Sequence, residues 1–212
     1  MKTDDLIEAL VHDRAATTGR PRAALSAALL GGSLVAAILF LTILGYRADI
    51  ASAAETYRFL FKFVFTLTLA ATAIWLIFTV IRPEAVPGLR LLALAAAPVL
   101  IVLAVVAELS GMPSSTWLPR LIGKNWWFCL TVIPSLAIVP LVAFFWALRR
   151  AAPANPGLAG ALAGLSAGAI AATLYASHCT NDSPLFVMTW YSIAIGLVTI
   201  VGYFAGRRWL AW

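Results

Sequence analysis

Long apolar runs, interrupted by short polar stretches that carry proline and glycine, dominate the chain. Six can be marked, at about 25–45, 60–81, 89–109, 126–148, 157–177 and 185–206. Each approaches the roughly 20 residues that an α-helix needs to cross the hydrocarbon core of a bilayer. Breakers separate them: Arg82-Pro83-Glu84 through Pro87-Gly88, Gly111-Met112-Pro113 through Lys124, Arg149-Arg150 with Pro153 through Gly157, and His178 through Pro184. The pattern predicts an all-α, polytopic membrane protein, a bundle of six transmembrane helices. It divides the chain into a segment 1–24, a transmembrane domain 25–206 and a short tail 207–212.

Within the runs, Gly160, Gly164 and Gly168 recur every four residues in the fifth helix, and Gly202 and Gly206 do so in the sixth. Small residues at this spacing let helix backbones approach closely, so these two helices are expected to cross tightly. Pro134 and Pro140 are expected to kink the fourth helix, since each removes a backbone donor and crowds the preceding turn. Trp117, Trp126, Trp127, Trp209 and Trp212 fall at or beside predicted ends, the depth that suits an amphipathic ring.

Composition sharpens the class. Of 212 residues, 62% are apolar and 11% charged, with a mean hydropathy of +0.94. A soluble domain carries about a quarter charged residues, so none of ordinary size fits here. The net charge of +6 does not point to nucleic acid, because lysine and arginine sit at the ends of the runs. With the N-terminus inside, ten cations lie on the cytoplasmic side: Lys2, Arg14, Arg20, Arg22, Arg82, Arg90, Arg149, Arg150, Arg207 and Arg208. Five lie outside: Arg47, Arg58, Lys62, Arg120 and Lys124. That asymmetry predicts N-in and C-in. Asp4, Asp5 and Glu8 before the first run argue against a secretory signal.

Candidate chemistry is sparse. Lys62 and Glu108 come closest to membrane-embedded charges, and both are expected at outer helix ends, within snorkelling reach of the interface or paired with each other. Walker, His-Glu-x-x-His and Gly-x-Ser-x-Gly motifs are absent from the sequence, and two histidines leave little acid–base capacity. No enzymatic activity and no resident cofactor are expected.

Two places are more informative. Cys129 opens the fourth helix, and Cys179 lies between the fifth and sixth, both on the outer side in the N-in topology. There they could form a disulfide, closing a loop worth roughly 4 kcal/mol in the chain-entropy picture. With His178 and Asp182 they also offer soft-metal ligands, and a histidine beside a thiol can raise its reactivity. A third reading is that both are small apolar fillers. At the other end, residues 3–14 read as a short amphipathic helix. Asp5 and Glu8 have capping-box spacing, Asp4 and Asp5 suit the positive end of the helix dipole, and Leu6, Ile7, Leu10 and Val11 share a face. So short a helix needs a surface to lie against, and its acidic residues favour a partner protein over an anionic membrane.

Two motifs then carry a resemblance. The first is Met1-Lys2-Thr3-Asp4-Asp5-Leu6-Ile7 with Ala9-Leu10. The second is His178-Cys179 with Asp182-Ser183-Pro184, Phe186 and Trp190-Tyr191. In these, and in length and helix number, the chain resembles the NrsF-like anti-sigma factors, six-helix bacterial inner-membrane proteins. The resemblance implies that Asp4, Asp5, Leu6, Ile7, Leu10 and Val11 bind an extracytoplasmic-function sigma factor. It also implies that Cys129 and Cys179 sense oxidant or metal stress in the periplasm. The short inner loops, with Arg82, Arg90, Arg149 and Arg150, are expected to add contacts. The competing reading is a small transporter or channel for a neutral or apolar substrate.

Overall fold

The computed structural model describes residues 20–81, 88–151 and 153–211. Six helices within it are long and apolar enough to span a bilayer: α1 Arg20–Ile43, α2 Tyr57–Val80, α3 Gly88–Ser110, α4 Trp126–Leu148, α5 Pro156–Ala176 and α6 Pro184–Trp209. The chain is a multi-pass membrane protein. No strand occurs among the described residues. The residues of the expected N-terminal helix, 3–14, lie outside the described region, as does Arg82.

α1 begins at Arg20, five residues before the apolar run itself. Pro21 fits there because the first turn needs no donor from it. α3 opens as a 3-10 helix over Gly88–Ala95 and becomes α-helical at Ala96. α4 stays helical through Pro134 and Pro140. Pro140 is buried against α1, where a Cβ on Gly32 would lie 2.9 Å from its Cα.

α5 is the axis of the bundle. It packs against α2, α4 and α6, while α1 packs on α4 and α3 sits at the margin beside α2. Alanine and glycine make α5 thin, and most of its residues are buried. In lipid, apolar surface gives helices little reason to associate, so close van der Waals contact must supply it. The predicted crossing with α6 supplies it here. A Cβ on Gly164 would stand 2.5 Å from the Val198 carbonyl oxygen and 2.9 Å from Thr199 Cα. Gly160 faces Gly202 and Gly206 in the same way, backbone on backbone.

The seam gives a direct test. Gly164→Ala is expected to cost about 2 kcal/mol or more, because the obstructing atoms are backbone and cannot rotate away. Gly196→Ala, where a Cβ meets open space, is expected to be neutral or to gain up to about 1 kcal/mol from helix propensity. Unfolding of the purified variants in detergent micelles measures both.

Candidate functional site

One end of the bundle carries the α5–α6 connection, Ser177–Ser183, and segments from four other places converge on it. Asp182 lies at the centre. Its Oδ1 is 2.6 Å from Lys62 Nζ, and both its oxygens accept from Arg47 Nη1, at 3.0 and 2.9 Å. Lys62 also donates to the Cys179 carbonyl at 2.8 Å, and Arg47 Nη1 reaches the same oxygen at 3.3 Å. Lys62 is fully buried, with its ammonium 5.0 Å from the Phe59 ring centre. The ion cluster explains how a lysine is tolerated there: each partner neutralises the other out of water.

A second anchor holds the next residues of the chain. Glu108 of α3, largely buried, accepts at Oε2 from Ser183 Oγ at 2.7 Å and from the Leu185 amide at 3.1 Å. The carboxylate thereby caps the start of α6, where backbone amides lack helical partners. Its Oε1 faces Arg120 at 3.3 Å and Arg58 at 4.0 Å. Lys62 and Glu108 therefore take different partners instead of each other. Neither snorkels outward: both turn inward, because the 178–185 stretch offers a carboxylate, carbonyls and amides to meet them.

α6 is irregular where it meets this site. A π-helical stretch, Val187–Tyr191, lies between Pro184–Phe186 and Ser192–Trp209. Such widened turns re-aim side chains and often mark functional sites. Here Trp190 donates Nε1–H to the Leu121 carbonyl at 2.7 Å and stacks on Trp126, with ring centres 4.8 Å apart. Its neighbour Tyr191 is buried against Tyr175.

The two cysteines meet beneath this loop. Both are buried and free, and their side chains are neighbours. Cys129 Sγ also lies 3.4 Å from Tyr175 Oη. Tyr191 turns its hydroxyl toward Cys179, where no well-formed hydrogen bond satisfies it. The thiol of Cys179 titrates below the ordinary range. The Cys129 hydrogen bond is the main cause, the Lys62 charge and the Asn181 backbone assist, and burial opposes them. Arg47 is held firmly protonated, first by its hydrogen bond to Asp49, and the same bond lowers the Asp49 carboxyl.

A cavity of about 310 Å³ reaches Cys179 and is lined also by Trp127, Phe128, Tyr175, His178, Thr180 and Asn181 among others. The remaining predicted neighbours point elsewhere. His178 places Nδ1 3.0 Å from the Gly45 carbonyl and stacks on Phe128, and Asp182 is taken by Lys62 and Arg47. Among the described residues, no three His, Cys, Asp or Glu side chains converge closely enough to hold a metal ion. The expected partner-binding residues Asp4, Asp5, Leu6, Ile7, Leu10 and Val11 lie outside the described residues.

Comparison with known proteins places this arrangement. A family model described as "Negative regulator of sigma F" matches residues 10–212. The chain belongs to the NrsF family. It is 32% identical to the anti-sigma-F factor NrsF of Caulobacter vibrioides, over the full length of both chains. It is also 32% identical to the probable anti-sigma-F factor NrsF of Azospira oryzae, again over both full lengths. No solved structure matches the chain. The relatives are named as regulators and not as enzymes. The NrsF match takes in the whole of the thiol end, from Arg47 to Tyr191.

Two outcomes follow from the geometry. Asp182→Asn, which leaves the Lys62 ammonium buried with only a carbonyl, is expected to cost about 3–5 kcal/mol. Lys62→Met should cost less, since Arg47 still neutralises Asp182, and the double variant should cost less than the sum. Alkylation of Cys179 by iodoacetamide should show a pH midpoint below the ordinary thiol value of about 8.5. Cys129→Ala should move that midpoint upward by removing the main hydrogen bond.

Proposed function

We propose that this chain is a bacterial inner-membrane anti-sigma factor. On this reading it holds an extracytoplasmic-function sigma factor away from RNA polymerase and releases it when an oxidant or thiophilic metal reaches its two thiols. Family membership supports the anti-sigma role. The observation that carries the sensing half is the nearness of Cys129 and Cys179, 50 positions apart in sequence, beside a cavity that Cys179 lines.

The topology proposed is N-in and C-in. Support comes from the segregation of charge. Every described carboxylate, Asp49, Glu55, Glu108 and Asp182, belongs to the thiol end. The opposite end exposes Arg22, Arg90, Arg149, Arg150, Arg207 and Arg208, the pattern of a cytoplasmic face. The thiols then face the periplasm, where disulfides persist. Oxidation joins the two sulfurs, and two electrons and two protons pass to the oxidant. The disulfide state can release the partner only if it favours a different arrangement of the bundle, which is a population shift.

The sigma factor is proposed to dock on Leu6, Ile7, Leu10 and Val11, with Asp4 and Asp5 at the start of the helix. A segment of about 24 residues is small for sequestration, so Arg90 at the start of α3 and Arg149 and Arg150 after α4 are proposed to join it.

The test is copurification from mild detergent. The native chain should carry a sigma factor, and a version lacking residues 1–22 should not. Leu6→Asp with Leu10→Asp should free the partner at any redox state. Cys129→Ser and Cys179→Ser should keep the partner bound and lose its release by oxidant. If both serine variants respond as the native chain does, the sensing proposal fails while the anti-sigma proposal stands.

A further inference from the structure

A second cavity lies beside the thiol cavity at the same end of the bundle, and it is larger, about 580 Å³. Three cations line it from three separate elements: Arg58 at the start of α2, Arg120 on the short helix Trp117–Ile122, and Lys124 just before α4. Asp182 also lines the cavity and Glu108 stands beside it, and both carboxylates are already engaged. Asp182 gives both oxygens to Lys62 and Arg47. Glu108 spends Oε2 on Ser183 and Leu185, which leaves Oε1 alone for Arg58 and Arg120. Lys124 is exposed and forms no ion pair among the described residues. Two of the three cations thus share one carboxylate oxygen, and Lys124 has none, around an open space.

The uncharged lining agrees with that charge. Thr180 and Asn181 border the cavity, and the Asn181 amide nitrogen, a donor, has no hydrogen-bond partner. Surplus positive charge suits a multiply charged, multi-oxygen anion, and guanidinium groups match such oxygens in pairs. The cations also call for an explanation because the outer side of a membrane protein is where topology needs them least.

We propose that this cleft binds a phosphate-like oxyanion. Two sources can present that chemistry. Exposed Trp117, Trp126 and Trp127 mark the level of the membrane interface, where phospholipid headgroups carry phosphate. A soluble oxyanion can enter from the aqueous side. Thr180 and Asn181 line both cavities, so an anion held here bears on the loop that carries Cys179. The site is independent of the anti-sigma proposal and is tested by binding alone.

The experiment uses the purified full chain in detergent. Native mass spectrometry reads retained phospholipid, and thermal unfolding reads sodium phosphate and sodium sulfate against sodium chloride at matched ionic strength. The variants are Lys124→Gln and Arg120→Gln with Lys124→Gln. Lys124→Gln alone touches no described carboxylate, so it separates loss of the site from loss of the fold. Retained phospholipid that both variants shed identifies a headgroup site. Saturable stabilisation by phosphate or sulfate identifies a soluble-anion site, with the half-saturating concentration raised at least about tenfold in the double variant. If no lipid is retained and both anions act as chloride does, or if the variants respond as the native chain does, the proposal is overturned.

Discussion

One carboxylate, Asp182, organises the thiol end of the bundle. It lies between the ammonium of Lys62 and the guanidinium of Arg47, and through them it ties the α5–α6 loop to α2 and to the end of α1. A buried cation in lipid surroundings has no cheap alternative partner, so the arrangement is specified by what it would cost to break. Once Asp182 is fixed, the Cys179 carbonyl is fixed by the same two cations, and Cys179 Sγ is delivered to Cys129. The anchor at Glu108 repeats the logic, holding Ser183 and the first amides of α6. The thiol pair is therefore a product of ion placement more than of apolar packing.

The middle of the bundle obeys a different rule. α5 and α6 touch through glycines because contact between backbones is the attraction available where water is absent. That seam offers no charge and little freedom to repack. A rigid, nearly uncharged axis capped by a polar, charge-specified end gives the molecule two regions of unlike character.

How much of this could be read from the residues depends on the range of the interaction. The six helices were legible because hydropathy is a local signal, and the α5–α6 crossing because four-residue glycine spacing is local as well. Lys62 and Glu108 were placed at the interface because no partner lies near them in sequence. Their partners sit 117 and 75 positions away, in a loop that reads as ordinary turn residues. Asp182 stood out in the sequence as a possible metal ligand and Ser183 only as part of a motif, and their pairing with Lys62, Arg47 and Glu108 emerges with the tertiary contacts. Tyr175 gave no warning at all, being one more apolar position in α5. The π-helical stretch was hidden too, since nothing in the local pattern separates one widened turn from a regular one.

The location of the cysteines relative to the ion cluster matters for any switching role. Cys179 contributes its sulfur to one partner and its carbonyl oxygen to two others, so its backbone cannot shift without disturbing Lys62 and Arg47. A disulfide replaces a hydrogen-bonded contact with a bond of fixed length and dihedral preference, which demands such a shift. Arg47 follows α1 closely, and α1 begins at Arg20, where the proposed partner-binding segment ends. On the proposed reading, the closing of the two sulfurs from contact to bonding distance reaches the sigma factor along a single helix. Spatial continuity alone does not make that coupling. What gives it physical content is a cluster with two alternatives, Asp182 held or released, whose balance the thiol chemistry can tip.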